Sequence, residues 1–197
     1  MARKAGRLHK ATSERLSTFS DGVFAVLITV LVLELRPPPQ PTFVALLSFW
    51  PTWLSYAVSY VFIAIVWVNH HYLMRYAEDA SSRLLWINFA HLFSMSLLPF
   101  STAWMAVSRL APQPVAFYAA VFFLVNLTYI GLIRELIEEA PEGEVTPRVR
   151  RGMRLRAYPT LCLFAAAAVV ALWHPLLGLG VCIACLLFYL KPDPLEL

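Results

Sequence analysis

Charged residues are scarce in this chain of 197 residues, at 14% of the composition, whereas 59% are hydrophobic and the mean hydropathy is +0.65. This balance leaves no stretch polar enough for a separate soluble domain, so we expect one membrane-embedded domain over residues 1–197. The chain also lacks a Gly-rich phosphate loop, an internal inverted repeat and a small-residue cleavage site after its first apolar run. That run is therefore interpreted as a retained helix and not as a signal peptide.

Reactive and metal-binding groups are few as well. Cys162, Cys182 and Cys185 all lie in apolar runs, which favours buried small hydrophobes over a disulfide or a metal site. No H-E-x-x-H motif and no nucleophile with a base at a recognisable spacing is present, which argues against an enzyme. The net charge is +4, but the basic residues lie between apolar runs without interleaved aromatics, so nucleic acid is not an expected partner.

The distribution of hydropathy predicts an all-α membrane protein with six transmembrane helices. With both termini in the cytoplasm, 14 of the 16 lysines and arginines lie on the inner side, and only Arg36 and Arg109 lie outside. This asymmetry favours an even number of spans, since an odd number would destroy it. The predicted spans cover residues 17–35, 43–73, 83–108, 114–137, 157–173 and 176–190.

An acidic stretch between the fourth and fifth spans is followed by a basic run, Arg148 to Arg156. We interpret residues 138–156 as a cytoplasmic hairpin whose basic half meets anionic lipid headgroups. A regulatory or partner-binding site is the alternative for this segment.

The first span carries a carboxylate, Asp21, about a turn and a half from its start. A buried aspartate in a membrane helix is costly, so it is expected to lie near water or to find a partner on a neighbouring helix. At 100° per residue, a different set of residues forms one mostly apolar stripe that leaves Asp21 on another face. The stripe comprises Phe19, Gly22, Val26, Thr29, Val30 and Leu33.

Thr29 is the residue of that stripe whose side chain has a hydroxyl group. In a symmetric oligomer, Thr29 predicts a ring of hydroxyl oxygens between apolar rings at Val26 and Leu33. Such a hydroxyl ring can partly replace the hydration water of an ion, and apolar rings can gate a pore by dewetting. The alternative is that the Thr29 hydroxyl only bonds a carbonyl of its own helix, as buried threonines commonly do.

Polar residues on the second and third spans offer partners for the polar end of the first. We predict a buried network that holds the first helix against the second and third and includes Arg15 and Asp21. A metal site is not expected, because adjacent histidines point about 100° apart on a helix. The proposed partners are His70, His71, Asn88 and His91.

The segment Arg15-x-x-x-Phe19-Ser20-Asp21 resembles the R-x-x-x-F-S-D signature that opens the first helix of the endolysosomal potassium channel family, also called the transmembrane protein 175 family. The run from Asp21 to Thr29 continues the resemblance. Trp67-x-x-His70-His71 and Leu97-Leu98-Pro99-Phe100 are similar to features of its prokaryotic members. The resemblance in spans and topology covers most of the chain, whereas the sharp motif lies in the first helix alone.

This resemblance implies a homotetramer assembled around the first helix, without the T-V-G-Y-G filter of ordinary potassium channels. By position, Val26 is the apolar constriction, where the family usually has a longer Ile or Leu. Thr29 is the hydroxyl ring, and Val30 and Leu33 line the outer pore. The structural network around the pore helix is expected to include Arg15, Phe19, Ser20 and Asp21.

The resulting hypothesis is a potassium-permeable channel in a bacterial inner membrane, with an endomembrane as the alternative location. Its partners are further copies of the chain, the lipid bilayer and monovalent cations, with K⁺ as the permeant ion and no cofactor. The competing hypothesis is a proton-coupled secondary transporter, motivated by the aspartate and histidines within the membrane spans.

Overall fold

The computed structural model describes residues 2–77, 80–138, 140 and 145–189, with backbone alone for residues 2–12. Its regular secondary structure is helical throughout the described ranges, without a strand. The helices are α1 (Ala2–Leu33), α2 (Phe43–Ser48), α3 (Trp50–Met74), α4 (Ser82–Ser96), α5 (Leu98–Val107), α6 (Pro112–Ile133), a π-helical turn (Arg134–Glu138) that continues α6, α7 (Pro147–Ala171) and α8 (Pro175–Tyr189).

Several of these helices have the length and apolar composition of membrane spans. Five such segments occur in the described part of the chain, which identifies a multi-pass membrane protein. The sixth predicted span corresponds to α8, a shorter apolar helix of 15 residues. The five segments are Ser13–Leu33, Trp50–Met74, Ser82–Val107, Pro112–Glu138 and Pro147–Ala171.

Two predicted spans overlap the candidate spans Trp50–Met74 and Ser82–Val107, but each consists of two helices, with a proline in the first turn of the second. Residues 43–73, predicted as one span, form the short helix α2 and then α3, whose first turn contains Pro51. The span predicted at 83–108 is divided at Leu97 into α4 and α5. Pro99 lies in the first turn of α5, where its missing N–H leaves no helical hydrogen bond unmade.

The basic run predicted as part of a hairpin is helical. α7 begins at Pro147, ten residues before the predicted span, and the Thr146 side chain caps it by accepting from the Val149 N–H. The Arg150 guanidinium donates to the carbonyls of Glu138 at 2.9 Å and Ala140 at 2.7 Å, which satisfies backbone groups at the end of the π-helical turn. The remainder of that hairpin, residues 139 and 141–144, and residue 190 of the last predicted span lie outside the described residues.

α6 forms the centre of the bundle and packs against α3, α4, α5, α7 and α8. The Phe62 ring of α3 stacks on Phe122 of α6 with centroids 3.6 Å apart, and Phe164 of α7 meets Phe122 edge-on at 5.4 Å. α1 packs on α3, α4 and α5 and makes no comparable contact with the α7–α8 pair in the described chain. It therefore lies at an edge of the bundle, with one side left uncovered.

α7 and α8 approach each other closely through small residues. A Cβ added at Gly178 would lie 2.6 Å from Ala171 Cβ and 2.7 Å from the Ala167 carbonyl oxygen. Membrane helices commonly associate in this way, because lipid offers little hydrophobic drive and close backbone packing takes its place.

Candidate functional site

α1 has two different faces. Leu16, Ser20, Phe24, Leu27 and Leu31 are buried against the bundle. These positions recur every three to four residues, which places them on one side of the helix. The opposite side is the stripe predicted from the sequence, and the described chain does not cover it.

The four predicted pore-lining residues all lie on this uncovered side. The side chains of Val26 and Leu33 are 59% and 76% exposed, and Val30 is 36% exposed. Thr29 is also exposed and donates its hydroxyl proton to the Val26 carbonyl at 2.7 Å. The hydrogen bond between Thr29 and its own helix, which the alternative interpretation predicts, is therefore present. The lone pairs of the hydroxyl oxygen are still available to a hydrogen-bond donor.

A buried chain of hydrogen bonds holds the other side of α1. Asn88 Nδ2 on α4 donates to Ser20 Oγ at 2.9 Å, and Asn88 Oδ1 lies 2.8 Å from His70 Nε2 on α3. Ser20 Oγ in turn donates to the Leu16 carbonyl at 2.9 Å. All three linked side chains are fully buried, so each bond satisfies groups that have no access to solvent. Three helices are thereby fixed at one level.

Asp21 is held separately, by a residue that the sequence did not assign as its partner. The Trp67 indole N–H donates to Asp21 Oδ1 at 2.8 Å, which ties α1 to α3 a second time. Trp67 lies one turn before His71, and their rings are 5.6 Å apart. The spacing of four residues in the sequence could have indicated that Trp67 lies on the same face of the helix as His71, a predicted network residue.

The remaining predicted network residues are distributed differently. His91 is buried, with Nδ1 3.0 Å from Thr128 Oγ1 and its ring parallel to that of His70 at 5.7 Å. Phe19 is half exposed and meets Phe89 edge-on at 5.6 Å. Arg15 is exposed and forms no hydrogen bond or ion pair with the described residues. Its place in the network stays a prediction.

A third polar contact lies closer to the start of α1. Ser13 Oγ donates at 2.7 Å to the carbonyl of Ala77, just after α3. Among the residues that the structure describes, no group of three His, Cys, Asp or Glu is suited to hold a metal ion. The hydrogen bonds of this region position α1 against its neighbours.

We predict that Trp67→Phe lowers the stability of the protein by about 1 kcal/mol, because it removes the donor to a carboxylate and keeps most of the apolar area. Thermal unfolding of the detergent-solubilised protein measures the effect. Trp86→Phe is the matched control, since Trp86 is 75% exposed on α4. Equal midpoints for the two variants would contradict a role for the Asp21–Trp67 bond.

Comparisons with known proteins agree on one family. The family model described as endosomal/lysosomal potassium channel TMEM175 matches residues 15–99. The chain is 30% identical over 184 residues to a potassium channel of Chryseobacterium sp. (strain P1-3), covering 92% of this chain and 94% of that protein. It is 32% identical over 186 residues to a potassium channel of Streptomyces collinus, covering 85% and 90% respectively.

A solved structure is similar over almost its whole length. It is the crystal structure of a lysosomal potassium-selective channel TMEM175 homolog from Chamaesiphon minutus, with a TM-score of 0.80 and 26% sequence identity. The match covers 92% of this chain and 97% of that chain. Sequence and fold thus indicate the same family.

Proposed function

Because the chain belongs to the TMEM175 family of ion channels, we propose that it forms a potassium-permeable channel, a homotetramer whose first helices surround a common pore. Each subunit is a single transmembrane domain of residues 1–197 that crosses the membrane six times, with both termini in the cytoplasm. A bacterial inner membrane is the proposed location, since the two relatives described above, which are similar over most of both chains, are bacterial.

The uncovered side of α1 is the observation that supports this proposal most directly. It combines the exposed apolar side chains of Val26 and Leu33 with the exposed hydroxyl of Thr29 and with Gly22. A Cβ at Gly22 would have no atom within 4 Å, so that position is open within the subunit. A helix that faced only lipid gains nothing from a hydroxyl or a glycine on its outer side, whereas close packing of symmetry-related helices uses both.

The proposed pore chemistry follows from these side chains. Thr29 has its proton engaged with the Val26 carbonyl, so it presents oxygen lone pairs, which can replace part of the hydration shell of a cation. A ring of Val26 forms an apolar constriction that excludes water when narrow. Val30 and Leu33 line the outer pore, and no resident cofactor takes part. The sequence contains no Gly-Tyr-Gly, so selectivity would arise without a carbonyl filter of that type.

The proposal is tested by potassium flux into liposomes that contain the purified full-length protein, with a potassium gradient as the driving force. Passive flux that follows the gradient, without saturation, supports the channel. Flux indistinguishable from protein-free liposomes contradicts it. Saturable solute uptake that strictly requires a pH gradient would support the proton-coupled transporter instead, which the channel relatives do not favour.

Thr29→Ala is predicted to reduce the preference for potassium over sodium by about fivefold, because it removes the hydroxyl oxygens that face the proposed pore. The bi-ionic reversal potential in planar bilayers measures this preference directly. Ser96→Ala is the matched control, since the exposed Ser96 hydroxyl on α4 also bonds the carbonyl three residues earlier, at 2.7 Å. An unchanged reversal potential for Thr29→Ala would exclude Thr29 as the selective ring.

A further inference from the structure

A small cavity lies within the bundle, away from the uncovered side of α1. Its lining residues come from α3, α6, α7 and α8, and its volume is about 30 Å³. A buried water needs roughly 10–15 Å³ measured in this way, so the cavity has room for about two waters and is too small for a lipid chain. The lining is mostly apolar, and its polar members are Asn69, Asn126, Tyr129 and Tyr189.

Asn126 of α6 has an unmet hydrogen-bonding capacity in this cavity. The residue is 8% exposed, and its Oδ1 has no hydrogen-bond partner among the described residues. A buried amide oxygen without a partner costs free energy, so natural proteins rarely keep one unless water or another donor satisfies it. The orphan oxygen therefore points to an occupant that carries a hydrogen-bond donor.

The depth of Asn126 in its span means that neither lipid nor bulk solvent supplies this donor. Asn126 lies near the midpoint of the membrane-capable segment Pro112–Glu138. At about 1.5 Å per residue, either end of the segment is about 20 Å away along the helix axis. Lipid tails carry no donor at that level, and water is absent from the hydrocarbon core. The donor has to be held inside the protein.

The other polar lining residues complete the surroundings that a buried water needs. Asn69 lies on α3, Tyr129 follows Asn126 by about one turn on α6, and Tyr189 ends α8. A buried water typically makes about three hydrogen bonds, which polar groups on three helices can supply. Tyr129 and Tyr189 also line a neighbouring space of about 10 Å³, close to the size of one water, which continues towards Met153 on α7.

We propose that this cavity is an internal water site, in which one water donates to Asn126 Oδ1 and a second water bonds to the first. The two waters link α6 to α3 and α8, where Asn69 and Tyr189 line the cavity. Water accounts for both observations, because it fits a volume of about 30 Å³ and it donates hydrogen bonds. The site is a polar connection between helices at mid-membrane depth, separate from the ions that pass along α1.

X-ray radiolytic footprinting of the full-length protein in detergent tests this site. Hydroxyl radicals formed from a bound water oxidise the side chains that touch it, and mass spectrometry measures the oxidation rate of each peptide. Phe164 lines the cavity and is 2% exposed, whereas Phe122 is fully buried outside the lining. The two rings meet edge-on at 5.4 Å and have the same chemistry. We expect Phe164 to be oxidised and Phe122 to be protected.

Asn126→Leu removes the amide and should lower the oxidation rate of Phe164 about fivefold, the change in water occupancy that one lost hydrogen bond of ordinary strength produces. Asn126→Ser is the matched control, because it keeps an oxygen for the water and should leave Phe164 oxidised. Protection of Phe164 to the level of Phe122 in the wild-type protein would overturn the site, and so would equal rates in wild type and Asn126→Leu or equal losses in the two variants.

The wild-type comparison of Phe164 with Phe122 needs no substituted protein, so it decides the matter even where a variant does not fold. None of these readouts depends on conduction. A failure of the water site is therefore distinct from a failure of the proposed channel.

Discussion

Replacing Val26 by asparagine is expected to raise the potassium flux about tenfold, which corresponds to a barrier lower by roughly 1.4 kcal/mol. Val26 is 59% exposed in the subunit, on the side of α1 that carries Thr29. If four copies of this residue form the constriction, their methyl groups impose a dewetting barrier that an amide removes. The measurement is the initial rate of potassium uptake by liposomes that contain equal amounts of variant and wild-type protein.

Val32→Asn is the matched control for this substitution. Val32 is exposed on the same helix, 46%, but lies off the stripe that contains Val26, Thr29 and Leu33. The same polar group at this position should leave the flux within about twofold of wild type. A flux that rises equally in both variants would indicate a general leak, and a flux unchanged in Val26→Asn would remove Val26 from the constriction.

Gly178→Ala is expected to destabilise the protein by about 3 kcal/mol, at the upper end of what overpacking usually costs. The added Cβ would meet Ala171 Cβ at 2.6 Å and the Ala167 carbonyl oxygen at 2.7 Å. The carbonyl belongs to the backbone of α7 and cannot rotate away, so α7 and α8 must separate. Thermal unfolding in detergent measures the loss as a lower midpoint than that of wild type.

Gly180→Ala makes the same change two residues later in α8, where the added Cβ meets nothing within 4 Å. It should preserve or slightly raise the midpoint, since alanine has the higher helix propensity. Similar midpoints for the two variants would show that close α7–α8 packing does not limit stability.

The sequence was sufficient to predict the two faces of α1, because the spacing of apolar and polar residues along one helix is a local property. Val26, Thr29 and Leu33 were assigned to one stripe, and the structure leaves that stripe uncovered. The start of α7 could also have been predicted from the sequence, since Thr146 followed by Pro147 is a typical cap and first-turn pair. The hydropathy pattern did not indicate this start, because the first turns of α7 are basic.

Pairing between helices was harder to predict. The Asn88–His70 bond connects residues that were both assigned to the network, whereas the partner of Asp21 is Trp67. The choice between Trp67 and His71 depends on the rotation of α3 relative to α1, which packing of the whole bundle determines. The division at Leu97 was equally underdetermined, since Pro99 is compatible with a kink or with a new helix start.

The side-chain hydrogen bonds that join α1 to other elements all come from Ser13, Ser20 and Asp21 among the described side chains. Beyond Asp21 the helix is held by buried apolar side chains such as Phe24, Leu27 and Leu31. Val26 lies about 7.5 Å along the helix axis from Asp21, and Leu33 lies about 18 Å from it. A tilt of α1 about Asp21 would therefore displace Leu33 more than twice as far as Val26.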